Sequence, residues 1–204
     1  GTIAHDWGHY PLARGQYTRN LTMRRRMNDP RGIAIALVNL AELAKHEGDH
    51  AGACDRFTDA IARFRELSEP HMVGYTLAML AEAQLGLGRI DEATASADEA
   101  AQISAQIEHP RTRTMVEASL GDIALARSDC AAAERHYERA LRDATELFDV
   151  ARIHERLAAA RADRDPHDAR RLLARADEIR RRHQYAVPPA ERALDEQTRK
   201  LLNA

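Results

Sequence analysis

The sequence repeats itself every 40 residues, and this period limits the chain to folds built from stacked copies of one unit. Three prolines share the spacing, Pro30, Pro70 and Pro110. Two further series hold turn residues and alanines, namely Gly8, Gly48, Gly88 and Ser128, and then Ala13, Ala53, Ala93 and Ala133. Several series in step at one spacing indicate an array of equivalent units.

Each unit is predicted to be two helices joined by a tight turn. In the second unit, apolar residues recur at the i, i+3, i+4 and i+7 spacing of an amphipathic helix. The first helix has the stripe Leu37, Leu40, Ala41 and Ala44, and the second has Ala53, Phe57, Ala60 and Ile61. Gly48 supplies a left-handed residue that ends the first helix, and Asp49 can cap the second. Such a hairpin buries its apolar face only by stacking on its neighbours.

The turn and the helix after it resemble the tetratricopeptide repeat. The family's pattern of alanine and an aromatic residue four positions later occurs as Ala13 and Tyr17, Ala53 and Phe57, and Ala133 and Tyr137. In the third unit Ala97 replaces the aromatic residue. The resemblance covers roughly residues 8–177 and implies an all-α fold, a right-handed α-solenoid of antiparallel helix hairpins. A period longer than the usual repeat of about 34 residues is similar to that in sensor arrays of bacterial LuxR-like and ATPase-type transcriptional regulators.

The predicted array spans residues 1–187, in units at about 1–29, 30–69, 70–109, 110–149 and 150–185. The first unit keeps only the end of its first helix, and the fifth is short and out of register. Asp165 and Pro166 are predicted to begin the second helix of that fifth unit. Residues 188–204 place leucines on one side and charges on the other, which predicts a C-terminal capping helix. Because the chain opens in polar sequence without an initiator methionine, we expect a piece of a longer protein.

Composition and charge narrow the class of protein. Hydrophobic residues make up 44% and the net charge is −2, so the chain is not of the disordered type. No apolar run approaches the roughly 20 residues of a membrane span, and two cysteines make no disulfide framework. We therefore expect a cytoplasmic protein with no membrane partner.

Charge is uneven along the chain. Residues 1–149 hold 17 basic and 23 acidic groups, whereas residues 150–204 hold 13 and 9. The cluster Arg180–Arg182 is interpreted as a solvated helix end, which the helix dipole favours. Direct nucleic-acid binding is not expected, because the chain is not basic overall and only Tyr185 lies near the cluster.

One motif of catalytic proteins occurs, at the turn of the second unit. His46, Glu47 and His50 match His-Glu-x-x-His, the zinc-protease motif, which requires both histidines on one continuous helix. Gly48 is predicted to break that helix, so we expect no metal site there. Cys54 and Cys130 are interpreted as small apolar fillers. We expect no cofactor and no enzymatic activity.

In the family that this sequence resembles, ligands lie in the concave groove lined by the first helix of each unit. Residue-by-residue transfer implies the groove residues Ile35, Val38, Asn39, Glu42, Tyr75, Met79, Glu82, Met115, Ser119, Asp122, Leu125 and His154, with His46, Leu85 and Arg161 at neighbouring positions. Several of these are apolar although they lie off the core stripe, which a purely solvated face would not need.

The resemblance implies a protein- or peptide-binding scaffold, as the sensor or regulatory part of a larger bacterial signalling or transcription regulator. Two alternatives stay open: a free-standing adaptor, and a repeat that binds a small molecule or a quorum peptide. Glu42, Glu82 and Asp122 share the 40-residue spacing. On stacked helices they would form a ladder of acids, which suits a basic amphipathic helix, including one from a second copy of the chain.

Overall fold

The computed structural model describes residues 2–203, which form eleven α-helices and one 3-10 turn. The helices are Thr2–Asp6 (α1), Tyr10–Arg26 (α2), Pro30–Glu47 (α3), His50–Glu66 (α4), Pro70–Gly86 (α5), Ile90–Ser104 (α6), Pro110–Ala126 (α7), Cys130–Asp143 (α8), Leu147–Arg161 (α9), Pro166–His183 (α10) and Arg192–Asn203 (α11), and the 3-10 turn is Pro189–Glu191. Consecutive helices pack as antiparallel hairpins. The all-α solenoid predicted from the period is confirmed.

Helix boundaries follow the chemistry of the repeated turn. Gly48 adopts φ of +92° and ends α3, and the Asp49 carboxylate accepts a hydrogen bond from the Gly52 amide at the start of α4. Asp29 caps α3 in the same way, through the amide of Gly32, and proline follows it at the first helical position. A left-handed residue followed by an acidic cap stops one helix and starts the next within a few residues.

The core lies between the two helices of each hairpin and between neighbouring hairpins. Its largest fully buried side chains include Phe57, Phe64 and Tyr137. One position of the second helix recurs every 40 residues as Tyr17, Phe57, Ala97 and Tyr137, three aromatic rings and one alanine. In the fourth unit Gly121 lies against the ring of Tyr137. In the third unit Ala97, with no ring, packs in a cluster with Ala81, Ala93 and Ile123.

Replacing Gly121 with alanine should destabilise the protein, although alanine favours helix more than glycine does. A Cβ atom at Gly121 would lie 2.5 Å from a ring carbon of Tyr137, whose side chain is fully buried. We expect a loss of about 1–3 kcal/mol in the free energy of unfolding, measured by urea denaturation. The matched change Gly15→Ala, where no atom lies within 4 Å of the new Cβ, should instead stabilise by about 0.5–1 kcal/mol. Equal effects would show that the ring moves freely.

The C-terminal part of the chain turns back across the array. Helix α11 packs on α9 and α10, and the 3-10 turn packs on α3. We call residues 184–191 the C-terminal strap. Its Ala186 amide donates to the carbonyl of Asp6 at 2.8 Å, so the strap joins the last unit to the first. Arg180 is buried, pairs with Glu155 and donates to the Ala186 carbonyl. Its interpretation as part of a solvated helix end is therefore wrong.

Within residues 2–203, no helix combines the length and the apolar character needed to cross a membrane.

Candidate partner-binding site

Five of the groove residues predicted from the second and third units line one depression, whereas Met79 and Glu82 do not. A hollow of about 350 Å³ is lined by Ile35, Val38, Asn39, Glu42, His71, Met72, Tyr75, His109 and Arg111, together with Thr2. A second hollow of about 520 Å³ adjoins it and shares Thr2, Ile35 and Asn39. We call the two together the concave cleft. The shared residues join the two hollows, whose walls come mainly from α2, α3, α5 and α7.

The wall of the concave cleft carries groups that can bond to a peptide backbone. The side-chain amides of Gln16, Asn20 and Asn39 line it, and none of them hydrogen-bonds to another group within residues 2–203. An amide offers both a donor and an acceptor, as a peptide unit requires. Opposite them, the guanidinium of Arg111 lies over the ring of Tyr75 at 5.3 Å.

Glu42 of the concave cleft lies near two further carboxylates. It lines the cleft and has no ion pair in the described part of the chain. Burial raises the pKa of Glu42, although the positive charges of Lys45, Arg152 and Arg111 oppose the rise. Burial likewise raises the pKa of Asp149 on α9; Arg152 opposes this rise and Glu42 adds to it. For Asp6, burial followed by Glu42, Asp149 and Glu146 raises the pKa to about 6. These carboxylates lie close enough to repel one another.

The position of Asp6 predicts a measurable dependence of stability on pH. Its pKa rises on folding from 3.8 to about 6. The favourable contribution is therefore complete below 3.8 and is lost as pH rises toward 6. Relative to the wild type, Asp6→Asn should become more stable as pH rises through that window, measured by urea unfolding at several pH values. Asp55→Asn, at an exposed position on α4, should show no such trend. If the free energies of unfolding of the wild type and Asp6→Asn differed by the same amount at every pH, the raised pKa of Asp6 would be contradicted.

Glu82 and Asp122 do not form an exposed acidic ladder, so that expectation is wrong. Arg152 of α9 donates to both carboxylate oxygens of Glu82, at 2.7 and 3.0 Å, and Lys45 pairs with the same group. Although burial opposes it, Arg152 and Lys45 hold the pKa of Glu82 well below its ordinary value. Arg156 lies 3.1 Å from Asp122. The two arginines of α9 thus form ion pairs with the acids of α5 and α7.

The other predicted groove residues divide between core and surface. Met79, Met115 and Ser119 are buried in the packing between helices, and Val38, which lines the concave cleft, is also only 5% exposed. The apolar character of Met79 and Met115 reflects tight contact between neighbouring units and not an open binding face. Leu125 lines a separate hollow of about 380 Å³, near the C-terminal ends of α3, α5 and α7. His154 is also buried, but on the side of α9 that faces α10.

The two histidines of the protease motif do not share a helix, as predicted from Gly48. His46 lies in the last turn of α3, and His50 is the first residue of α4. His46 instead forms a buried hydrogen bond with His5, with 2.8 Å between the two ring nitrogens. Burial and then Lys45 lower the pKa of His5 to about 4. Loss of His46 would leave the buried ring of His5 without this partner.

Sequence reasoning missed the residues at the mouth of the concave cleft. Arg31, His71 and Arg111 each follow the repeated proline, so they too are spaced by 40 residues and line the cleft. The sequence did carry a signal for these residues, because each occupies the same position in the first turn of the first helix of its unit.

The fold is an array of stacked helix hairpins, which is the architecture of helical-repeat proteins. Residues 32–106 match the model of the tetratricopeptide repeat. Among solved structures, the TPR-like repeats of a Podosopora anserina protein named for kinesin light chain are similar, with a TM-score of 0.56, 15% identity and coverage of 90% of this chain and 92% of that one. BtubC (BKLC) from P. vanneervenii has a TM-score of 0.55 at 19% identity, covering 94% and 90%. No curated protein sequence matches the chain.

Proposed function

We propose that the chain binds an extended peptide segment of a protein partner in the concave cleft. The observation that carries this proposal is that Ile35, Asn39, Glu42 and Tyr75, predicted from sequence as groove residues, line one open depression. TPR repeats generally serve protein interaction, which agrees with this use of the cleft.

An extended peptide fits the concave cleft better than a helix does. The two hollows adjoin, and the side chains of Gln16, Asn20 and Asn39 offer amide donors and acceptors to a backbone that lacks internal hydrogen bonds. Side chains of the peptide would meet Ile35 and Tyr75. Charged groups of the peptide would meet Glu42 on α3 and Arg111 on α7, and both residues line the cleft. Charges of both signs favour a defined direction of binding.

The basic amphipathic helix predicted from sequence would need a different surface. Glu82 and Asp122, the acids that it would pair with, are buried and already paired with Arg152 and Arg156. A competing helix would have to displace α9 from the array. For that reason we propose the extended peptide as the ligand.

The proposal is tested by selecting peptides from a random display library on the wild-type protein and measuring their affinities by fluorescence anisotropy. Asn39→Ala should weaken selected peptides by about ten-fold, the effect of a bidentate amide contact worth about 1.4 kcal/mol. Gln102→Ala removes an exposed amide of α6, outside the cleft, and serves as the matched control. Equal affinity for the two variants, or no enrichment of peptides, would contradict the assignment.

We further propose that the array is the regulatory part of a larger bacterial signalling or transcription regulator. The support is the resemblance of its 40-residue units to sensor arrays of that class. Sequencing the parent gene tests it, since a Walker loop or a helix-turn-helix motif encoded in the same reading frame is expected. A reading frame with repeats alone would favour the adaptor.

A small-molecule ligand is the second candidate, favoured by the hollow that Leu125 lines. Its volume of about 380 Å³ is in the range of ligand pockets, and it combines Leu85, Leu125 and Leu194 with buried charges. A thermal-shift screen of metabolites, compared between wild type and Leu125→Ala, tests this candidate. A stabilising compound with equal effect on both proteins would place its site elsewhere.

A further inference from the structure

A groove lies between α9 and α10, on a different surface from the concave cleft. Its floor is apolar, formed by Leu147, Val150 and Ile179 around a hollow of about 500 Å³. A smaller hollow of about 210 Å³ continues it along α10, lined by Leu172 and His154. We call the two the α9–α10 groove. Helix α11 does not cover it, since α11 is bonded to the other flank of α10 through Arg170 and Asp177.

The rim of the α9–α10 groove is basic. Arg171, Arg175 and Arg182 lie on one side of α10, and Arg175 lines both hollows. Arg171 is paired with Asp168 in its own helix. Neither Arg175 nor Arg182 has an ion pair with any residue from 2 to 203. Glu178 is the one acid among the lining residues of the described chain. The rim therefore presents two arginines that form no ion pair, and one acid, beside the apolar floor.

His154 lies in the smaller hollow of the groove. Its side chain lines that hollow and is 8% exposed. Burial first, and then the positive charge of Arg175, lower the pKa of His154. The ring of His154 thus lies beside the basic rim, where its signals report on an occupied groove.

We infer that the α9–α10 groove is a docking surface for an acidic amphipathic helix of a protein partner. Leucine-sized side chains would enter the larger hollow over Val150 and Ile179. Carboxylates one or two turns away on the same helix would meet Arg175 and Arg182, since residues at i, i+4 and i+7 share a helix face. Basic charge around an apolar floor selects this ligand over a basic or neutral helix.

The experiment uses the full chain and a synthetic acetylated peptide of about 15 residues, with leucines at i, i+4, i+7 and i+11 and glutamates beside them. Binding is followed by fluorescence anisotropy at low salt. Arg175→Glu and Arg182→Glu should each weaken binding by about ten-fold or more, because each reverses a charge at the rim. Arg181→Glu makes the same change at the next exposed arginine, which does not line the groove, and should alter affinity less than about two-fold.

Further measurements separate this docking surface from other uses of a basic patch. In an NMR titration the ring signals of His154 should shift with the peptide. A peptide with lysine in place of every glutamate should not bind. The inference is overturned if the acidic peptide fails to bind, if Arg181→Glu weakens it as much as Arg175→Glu, or if the same arginines instead support binding to phosphatidylserine vesicles or duplex DNA. Because Asn39 lies on another surface, these outcomes are independent of the concave cleft.

Discussion

Glu82→Ala should lower the free energy of unfolding by about 3–5 kcal/mol, because it leaves two buried cations without their partner. Lys45 and Arg152 are both less than a tenth exposed, and both pair with this carboxylate. Arg152 would keep Glu191 nearby, at 3.8 Å, which is too far for a strong hydrogen bond. Urea denaturation at neutral pH measures the loss.

Glu99→Ala is the matched control for Glu82→Ala. Glu99 pairs with Arg65 at 2.6 Å, but both side chains are about half exposed. Exposed pairs contribute about 0–1 kcal/mol, so this variant should be close to the wild type. If Glu82→Ala cost as little as Glu99→Ala, α9 would not be held in the array by these ion pairs. The double variant Glu82→Leu and Arg152→Leu should recover part of the loss, since replacing a buried pair by apolar residues is often neutral.

Phe57→Ala should also lower the free energy of unfolding by about 3–5 kcal/mol, through the cavity that it leaves. Phe57 is fully buried in the central core with Phe64 and Ile61. Rigid helices on both sides prevent the space from closing. Leu12→Ala, at a side chain that is 56% exposed, should change stability by no more than about 0.5 kcal/mol. A loss below about 1 kcal/mol for Phe57→Ala would show that the apolar stripe of α4 was assigned to the wrong side.

The fold was predictable from sequence because its signals are local. Gly48, Asp49 and their repeats act within a few residues, and they place each helix end where the structure has it. A period in the sequence predicts such local contacts, since equivalent residues make equivalent contacts in every unit.

The site was predictable only in part, because its ion pairs join units that are far apart in sequence. Arg152 is 70 residues from Glu82, in a unit that is out of register, so the period could not align them. One signal was available: Arg152 and Arg156 are spaced i, i+4 on α9, and Glu82 and Asp122 are buried on neighbouring first helices. The excess of positive charge after residue 150 also indicated that this part of the chain could pair with acids of the earlier units. Asn39, Glu42 and Tyr75 were found because they lie in the units with clear register.

The C-terminal strap changes how the array unfolds. A repeat protein whose units touch only their neighbours can fray from either end, with stability close to a sum over units. Here the bond from Ala186 to Asp6 and the contact between the 3-10 turn and α3 tie the first hairpins to the last. Opening one end therefore costs contacts at the other, so we expect the chain to unfold in one cooperative step. Contacts of such long sequence separation also slow folding, because the loop must close before they form.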